Sequence, residues 1–175
     1  MNQYPKSTLD CDTPKGKSFI KSQNMTMKII ERTYRGIKLK KTKDKAEKFD
    51  AYIHKDGGLY GVCEIKTRPY YSKKQEQPCT FDLLKQNDYL ITAEKLKVLQ
   101  NQSKKFKIKS YIFVNLPFEN KVVQIKITDE NGEFLVKYEI KKSTTYATCN
   151  EEKGEVERIN AYIKYDENNW SCIKF

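Results

Sequence analysis

The stretch that decides the fold is residues 49–68, which read FDAYIHKDGGLYGVCEIKTR. Apolar and aromatic residues on both sides of a central Asp-Gly-Gly predict two short antiparallel strands joined by a tight turn. Side chains of a strand alternate between the two faces of its sheet, so Glu64 and Lys66 project to the same side. If the pairing of the two strands brings Asp50 to that side as well, two carboxylates and one ammonium group converge.

The turn decides whether Asp50 and Glu64 share a face. With a two-residue turn and regular pairing, Asp50 faces away from Glu64. A three-residue loop of residues 56–58 pairs Lys55 with Leu59 and therefore Asp50 with Glu64, with the last glycine of the loop in the left-handed conformation. We therefore predict either an odd-numbered loop or a β-bulge in this hairpin.

Helical patterns precede and follow the hairpin. Thr and Pro are typical of the cap and first position of a helix, and Gly of the residue that ends one. A short apolar run of strand-forming residues predicts a buried strand. The elements predicted in order are a helix from Thr13-Pro14 to Gly36, a strand at 37–42, the hairpin, a polar and aromatic loop at 70–78, a helical region from Thr80 with a second cap at Thr92, and a strand at 110–116.

The chain changes character after Pro117 and becomes rich in strand patterns. Asn131-Gly132 between two apolar alternating segments is typical of a hairpin turn. The segments 122–128 and 134–140 are predicted to form this hairpin, and two more strands are predicted at 156–165 and 170–175. We expect one domain over residues 1–175, with a core at 13–117 and a β-rich extension at 118–175 packed on it.

Composition favours an anionic partner and excludes two classes of protein. The 175 residues carry a formal net charge of +11, which favours nucleic acid over membrane. Five scattered cysteines and the single His54 argue against a disulfide framework and a Cys/His zinc cluster. Because neither a signal peptide nor a long apolar run is visible, we expect no membrane association and a cytoplasmic location, in the host cell if the protein is viral.

The Glu-x-Lys pattern is common in this chain, since it also begins at Glu119, Glu139 and Glu151. The copy at Glu64 differs by its surroundings. An acid lies on the preceding strand, a helix precedes both strands, and a helix and a buried strand follow. The alternative reading of the trio is a salt-bridged patch on a solvent-facing strand.

This arrangement resembles the PD-(D/E)XK nuclease superfamily, which has the restriction-endonuclease-like fold. The resemblance covers about residues 15–116. It implies an α/β (α+β) fold with a mixed central sheet flanked by helices, in the order α-β-β-β-α-β. Asp50 matches the first acid of the family, Glu64 the second acid and Lys66 the lysine.

The resemblance also implies a metal site. Asp50, Glu64 and the backbone carbonyl of Ile65 would bind Mg²⁺ or Mn²⁺, an ion that prefers oxygen ligands and keeps waters that a phosphate can replace. The family often has a glutamate in its first helix, for which Glu31 is available and Gln23 is the polar alternative. Lys66 would position the attacking water or neutralise the phosphate.

The function expected from these residues is that of a metal-dependent DNA endonuclease of the kind found in repair, recombination or phage DNA processing. The resemblance to the family also suggests a homodimer, by analogy alone. Cutting that depends on DNA structure or on ends is favoured, because no separate sequence-reading domain is visible. The alternatives are a ribonuclease on the same core and a catalytically inactive module that binds nucleic acid or protein. The basic and aromatic residues expected to contact nucleic acid are Arg68, Tyr70, Lys73, Lys74 and Lys41, and Lys95 is a further residue that could reach the metal site.

Overall fold

The computed structural model describes residues 14–42, 49–72, 75–146 and 155–175. Within these residues the chain forms a six-stranded mixed sheet with helices on its faces, a three-stranded antiparallel sheet and a two-stranded ribbon. The helices are α1 (Pro14–Thr33), α2 (Phe81–Gln86) and α3 (Ala93–Phe106), with a 3-10 helix at Pro117–Glu119. The strands are β1 (Ile37–Lys41), β2 (Ala51–Lys55), β3 (Gly58–Thr67), β4 (Tyr70–Ser72), β5 (Gln77–Pro78), β6 (Tyr89–Thr92), β7 (Lys109–Leu116), β8 (Lys121–Thr128), β9 (Tyr138–Tyr146), β10 (Glu155–Ile163) and β11 (Trp170–Lys174).

The large sheet has the strand order β1-β2-β3-β7-β8-β11. Strands β3 and β7 are parallel, and every other neighbouring pair in this sheet is antiparallel. A parallel pair needs a long crossover, which here contains α2, β6 and α3. The predicted order of a helix, three strands, a helical region and a strand beside the third is therefore confirmed.

The two faces of this sheet are covered by different helices. On one face, Ile30 of α1 packs in a buried cluster with Ala51 and Ile65. On the other face, Leu96 of α3 belongs to a cluster that contains Val62. Because side chains alternate along β3, the even-numbered residues from 62 onward project toward α3.

The hairpin has a two-residue turn followed by a β-bulge. Asp56 and Gly57 have positive φ angles of 50° and 82°, and Lys55 pairs with Gly58. Asp-Gly with two positive φ angles is the preferred turn for a two-residue hairpin. The predicted three-residue loop with a left-handed Gly58 is therefore wrong, because Asp-Gly alone satisfies the turn.

The predicted β-bulge is confirmed. His54 pairs with Leu59 but Ile53 pairs with Gly61, so that Tyr60 is the extra residue on β3. The bulge moves the register by one position and continues to the pair Ala51 and Cys63. The next residues outward, Asp50 and Glu64, consequently lie opposite each other.

The hairpin predicted around Asn131-Gly132 forms only next to its turn. Thr128 bridges Phe134 and the N–H of Leu135 donates to the carbonyl of Ile127, but the strand partners of β8 are β7 and β11. The turn is tied to α3 instead, since Gln100 donates a hydrogen bond to the carbonyl of Gly132 at 3.0 Å. The chain then leaves the large sheet, and β9 pairs with β10.

The two strands predicted at 156–165 and 170–175 both form, but they lie in different sheets. Strand β10 lies in the three-stranded sheet, in the order β6-β10-β9, and β11 lies at the edge of the large sheet. The short strand β6 was not predicted, and the segment expected as a loop at 70–78 contains β4 and β5. The C-terminal strands share one buried cluster with α3, to which Val123, Ile163 and Trp170 belong.

Among the described residues, no helix is both long and apolar enough to cross a membrane.

Candidate active site

Glu64 is a fully buried carboxylate between two lysines. It lies on the part of β3 that projects toward α3, and its exposed fraction is 0%. Lys66 Nζ lies 2.6 Å from Oε1, and Lys95 Nζ of α3 donates a hydrogen bond to Oε2 at 2.8 Å. Each oxygen of Glu64 is thus paired with one ammonium group.

Asp50 lies opposite Glu64 at the end of the bulged hairpin. Its Oδ2 accepts a hydrogen bond from the backbone N–H of Ile65 at 2.7 Å, which fixes the carboxylate against β3. Burial, and then the charge of Glu64, raise the pKa of Asp50, although Lys66, Lys95 and the Ile65 N–H oppose the shift. Burial and the neighbouring carboxylate therefore disfavour the charged form of Asp50, as is common at functional sites.

Lys66 is the solvent-side cation of the site. Its side chain is 43% exposed, in contrast to the buried Glu64. Burial alone would lower the pKa of Lys66, but the charges of Glu64 and Asp50 reverse the effect and raise it. Lys66 is therefore protonated at neutral pH and can serve as a cation and hydrogen-bond donor, not as a general base.

The backbone carbonyl of Ile65 is directed toward the Asp50 side of β3. In a strand the N–H and C=O of one residue point to the same side, and the Ile65 N–H points to Asp50. Two carboxylates and this carbonyl are thus brought together at one end of the hairpin.

The structure does not bring Glu31 to this site. Its Oε1 accepts a hydrogen bond from the backbone N–H of Leu39 at 2.7 Å, so the side chain holds β1 to the end of α1. Helix α1 packs on the face of the sheet opposite to Glu64. Gln23 belongs to the same helix and therefore also lies on the face away from this site. The expected contribution of the first helix is therefore wrong.

The residues expected to contact nucleic acid do not form one continuous surface. Arg68 is half-buried, with its guanidinium 5.6 Å from the ring centroid of Tyr89. Tyr70 is 37% exposed and packs on Phe118. Lys41 is exposed but pairs with Ala51, whose side chain lies on the α1 face, so it projects away from the carboxylates. Lys73 and Lys74 lie outside the described residues.

Two further residues near the site are Lys95, which follows the predicted cap at Thr92, and Tyr89. Lys95 contacts Glu64 because Thr92 caps α3 and accepts a hydrogen bond from the Lys95 N–H at 3.4 Å, which fixes the start of the helix. Tyr89 is buried behind Lys66 and Arg68, and burial raises its pKa while these cations oppose the shift. Tyr89 was missed because it belongs to β6.

The oxygen ligands present fit a magnesium-like cation. In the described part of the chain, no group of three or more His, Cys, Asp and Glu side chains could hold a metal. Mg²⁺, however, usually binds one or two carboxylates and keeps several waters, which substrate phosphates replace. Asp50, Glu64 and the Ile65 carbonyl meet that requirement, and a cation that binds there has to displace an ammonium group from Glu64, since each oxygen of Glu64 is paired with a lysine.

No family model, curated protein or solved structure matches the chain.

Proposed function

We propose that the protein is a divalent-cation-dependent nuclease that hydrolyses phosphodiester bonds in DNA, with a restriction-endonuclease-like core. The observation that supports this proposal is the bulge at Tyr60, which puts Asp50 opposite Glu64 and next to Lys66. A β-bulge next to a cluster of functional side chains is a recurrent device for re-aiming them.

Each residue has a defined task in this reaction. Asp50 and Glu64 would hold Mg²⁺ or Mn²⁺, together with the Ile65 carbonyl. When bound, the cation supplies Lewis-acid stabilisation of the developing negative charge and lowers the pKa of a water. Lys66, half-exposed and protonated, donates to the phosphate and offsets its charge. Asp50 is oriented by the Ile65 N–H and needs no rearrangement to act.

The substrate follows from the charge of the chain. A net charge of +11 favours polyanions and predicts binding that weakens steeply with salt. The half-buried Arg68 lies beside the site, over the ring of the buried Tyr89. A cation in this position is expected to contact the phosphate backbone of DNA rather than to read bases. Recognition of DNA structure or ends is the corresponding expectation.

A second candidate is a nuclease-like module that binds nucleic acid without cutting it. The four charged groups of the site (Asp50, Glu64, Lys66 and Lys95) are already balanced, two negative against two positive, and both oxygens of Glu64 are in contact with an ammonium group. Such a cluster persists without a metal as a buried ion network.

The two candidates differ in a cleavage assay on purified protein. Single-stranded, duplex and branched DNA, and RNA, are incubated with Mg²⁺ or with EDTA. We expect cleavage of DNA that needs Mg²⁺ and falls at least about 100-fold in Asp50→Asn and in Lys66→Met. Asn keeps an oxygen that can accept from Ile65, so Asp50→Asn should remain folded.

The matched control is Lys141→Met. Lys141 forms an ion pair with Glu139 at 2.6 Å on an exposed strand, in the same Glu-x-Lys spacing but away from the site. It should cut as the wild type does. Cleavage in EDTA, or unchanged cleavage by Asp50→Asn, would refute the proposed nuclease, and salt-sensitive binding without any cleavage would establish the module instead.

A further inference from the structure

The lysines of the site lie in a definite order from the interior outward. Glu64 is 0% exposed, Lys95 is 32% exposed and Lys66 is 43% exposed. Both ammonium groups therefore stand between the buried carboxylate and solvent. These two ammonium groups attract an approaching anion and repel an approaching cation.

Each lysine holds one oxygen of Glu64. The Nζ of Lys95 donates to Oε2 at 2.8 Å, and the Nζ of Lys66 pairs with Oε1 at 2.6 Å. Lys95 also comes from a different element, α3, whose start is capped by Thr92. The carboxylate is thus held from β3 and from α3 at once.

A divalent cation can bind to this cluster only if it displaces one of the two ammonium groups from Glu64. The cluster is formally neutral, and a charge of +2 beside two ammonium groups is repelled unless one of them moves away from Glu64. A phosphate supplies the negative charge to which such an ammonium can turn. Cation and phosphate then favour each other's binding, because each relieves the charge imbalance that the other creates.

We propose that Lys95 is a positioning residue that occupies Glu64 while no nucleic acid is bound and transfers to a substrate phosphate when the divalent cation takes its place. This inference rests on the proposed function. It makes the binding of the cation and of nucleic acid mutually dependent, and thermodynamic linkage requires that the two enhancements be equal. The apoprotein is thereby protected from loading the cation in the absence of substrate.

The experiment measures cation binding rather than cleavage. Mg²⁺ is titrated calorimetrically into wild type and Lys95→Met, each alone and with phosphorothioate duplex DNA, which keeps its charge and resists hydrolysis. In wild type we expect DNA to tighten Mg²⁺ binding about tenfold. In Lys95→Met we expect Mg²⁺ to bind about tenfold more tightly without DNA, and the enhancement by DNA to shrink toward onefold.

The control and a second variant keep the result interpretable. Lys141→Met, which removes an exposed ion pair with Glu139, should reproduce the wild-type Mg²⁺ titrations. If Lys95→Met loses cooperative unfolding, Lys95→Gln is used, since Gln removes the charge but keeps an N–H donor on a side chain one bond shorter.

Three outcomes decide the matter. Tighter Mg²⁺ binding with lost enhancement in the Lys95 variant supports the assignment. Unchanged or weaker Mg²⁺ binding with the enhancement intact overturns it, while Mg²⁺-dependent cleavage by the wild type leaves the proposed function standing. Absence of Mg²⁺ binding by the wild type, with and without DNA, overturns both.

Discussion

Burial separates Glu64 from the other glutamates in the same spacing. Glu119 with Lys121, and Glu139 with Lys141, form ion pairs at 2.6 Å, the same distance as the pair of Glu64 with Lys66. The glutamate side chains of those pairs are 20% and 42% exposed, against 0% for Glu64. A charge held out of water is costly unless it is compensated, so the buried member is the one that needs a functional explanation.

Tyr34 is a buried residue whose ionisation should be visible in stability. Its ring packs edge-on against Phe113, and burial raises the pKa of Tyr34 to about 12, although Ser171 opposes the shift. A raised tyrosine pKa gives stability that is complete below the unfolded value near 10 and is lost as pH rises through 12. We predict that Tyr34→Phe retains roughly 1 kcal/mol more of its unfolding free energy than wild type between pH 9 and pH 11.

The measurement is urea unfolding at both pH values. The Tyr34 hydroxyl interacts only weakly with Ser171, so Tyr34→Phe should lose no more than about 1 kcal/mol of stability at pH 7. Tyr71→Phe, at a side chain that is 45% exposed, is the control and should follow wild type. An equal alkaline loss in wild type and Tyr34→Phe would show that Tyr34 ionises freely.

At the scale of elements, the bulge in the β2–β3 hairpin connects sequence to site. Gly61 follows the extra residue Tyr60, and its backbone approaches β7 closely. A Cβ at position 61 would lie 2.9 Å from the carbonyl oxygen of Lys109 and 3.1 Å from the ring of Tyr111. The glycine is therefore required by close approach of two backbones.

We predict that Gly61→Ala destabilises the protein by about 1–3 kcal/mol, because β7 has to shift away from β3. Cleavage should fall as well, since the shift moves the strand that holds Glu64. Denaturant unfolding and the nuclease assay measure the two effects. Gly58→Ala, where the nearest atom to an added Cβ is 3.7 Å away, is the matched control. Wild-type stability in Gly61→Ala would contradict the close packing at the bulge.

Local patterns predicted the elements better than their pairing. Alternation and the Asp-Gly turn are local properties, so the hairpin and the need for an odd register followed from residues 49–68. The sequence did not predict whether a longer loop or a bulge would supply that register, because the choice depends on the packing of Gly61 against β7. The strand partner predicted for β8 was wrong for the same reason, since pairing is set by distant contacts such as that of Gly132 with α3.

The site was predictable in part. Asp50, Glu64 and Lys66 lie close together in sequence on one hairpin, so strand geometry alone predicts that they converge. The sequence indicated only weakly that Lys95 reaches the site, because its position depends on where β6 ends and α3 begins. Glu31 was wrong because a helix pattern does not reveal which face of the sheet the helix will cover.

At the scale of the whole molecule, the segment after Pro117 is part of the core. Strand β8 pairs with β7 on one side and β11 on the other, so the predicted boundary at 117 cuts through the large sheet. Val122 and Ile127 are fully buried, and Trp170 at the start of β11 is 4% exposed against Tyr89 and Tyr165. Residues 118–175 therefore contribute strands to the large sheet and side chains to its core, and are not a separate extension.

A chain that ends at Pro117 should not fold. It would expose the apolar edge and face of β7, which is buried at nearly every position, and would lose the strand that covers β6. We predict that this truncation unfolds without a cooperative thermal transition, and that removal of residues 169–175 lowers the melting temperature strongly by exposing the edge of β8. Removal of Phe175 alone, a residue that is 45% exposed, is the control and should change the melting temperature little. A cooperative transition and Mg²⁺-dependent cleavage in the chain that ends at Pro117 would show that residues 14–117 are an independent catalytic domain, contrary to the shared core.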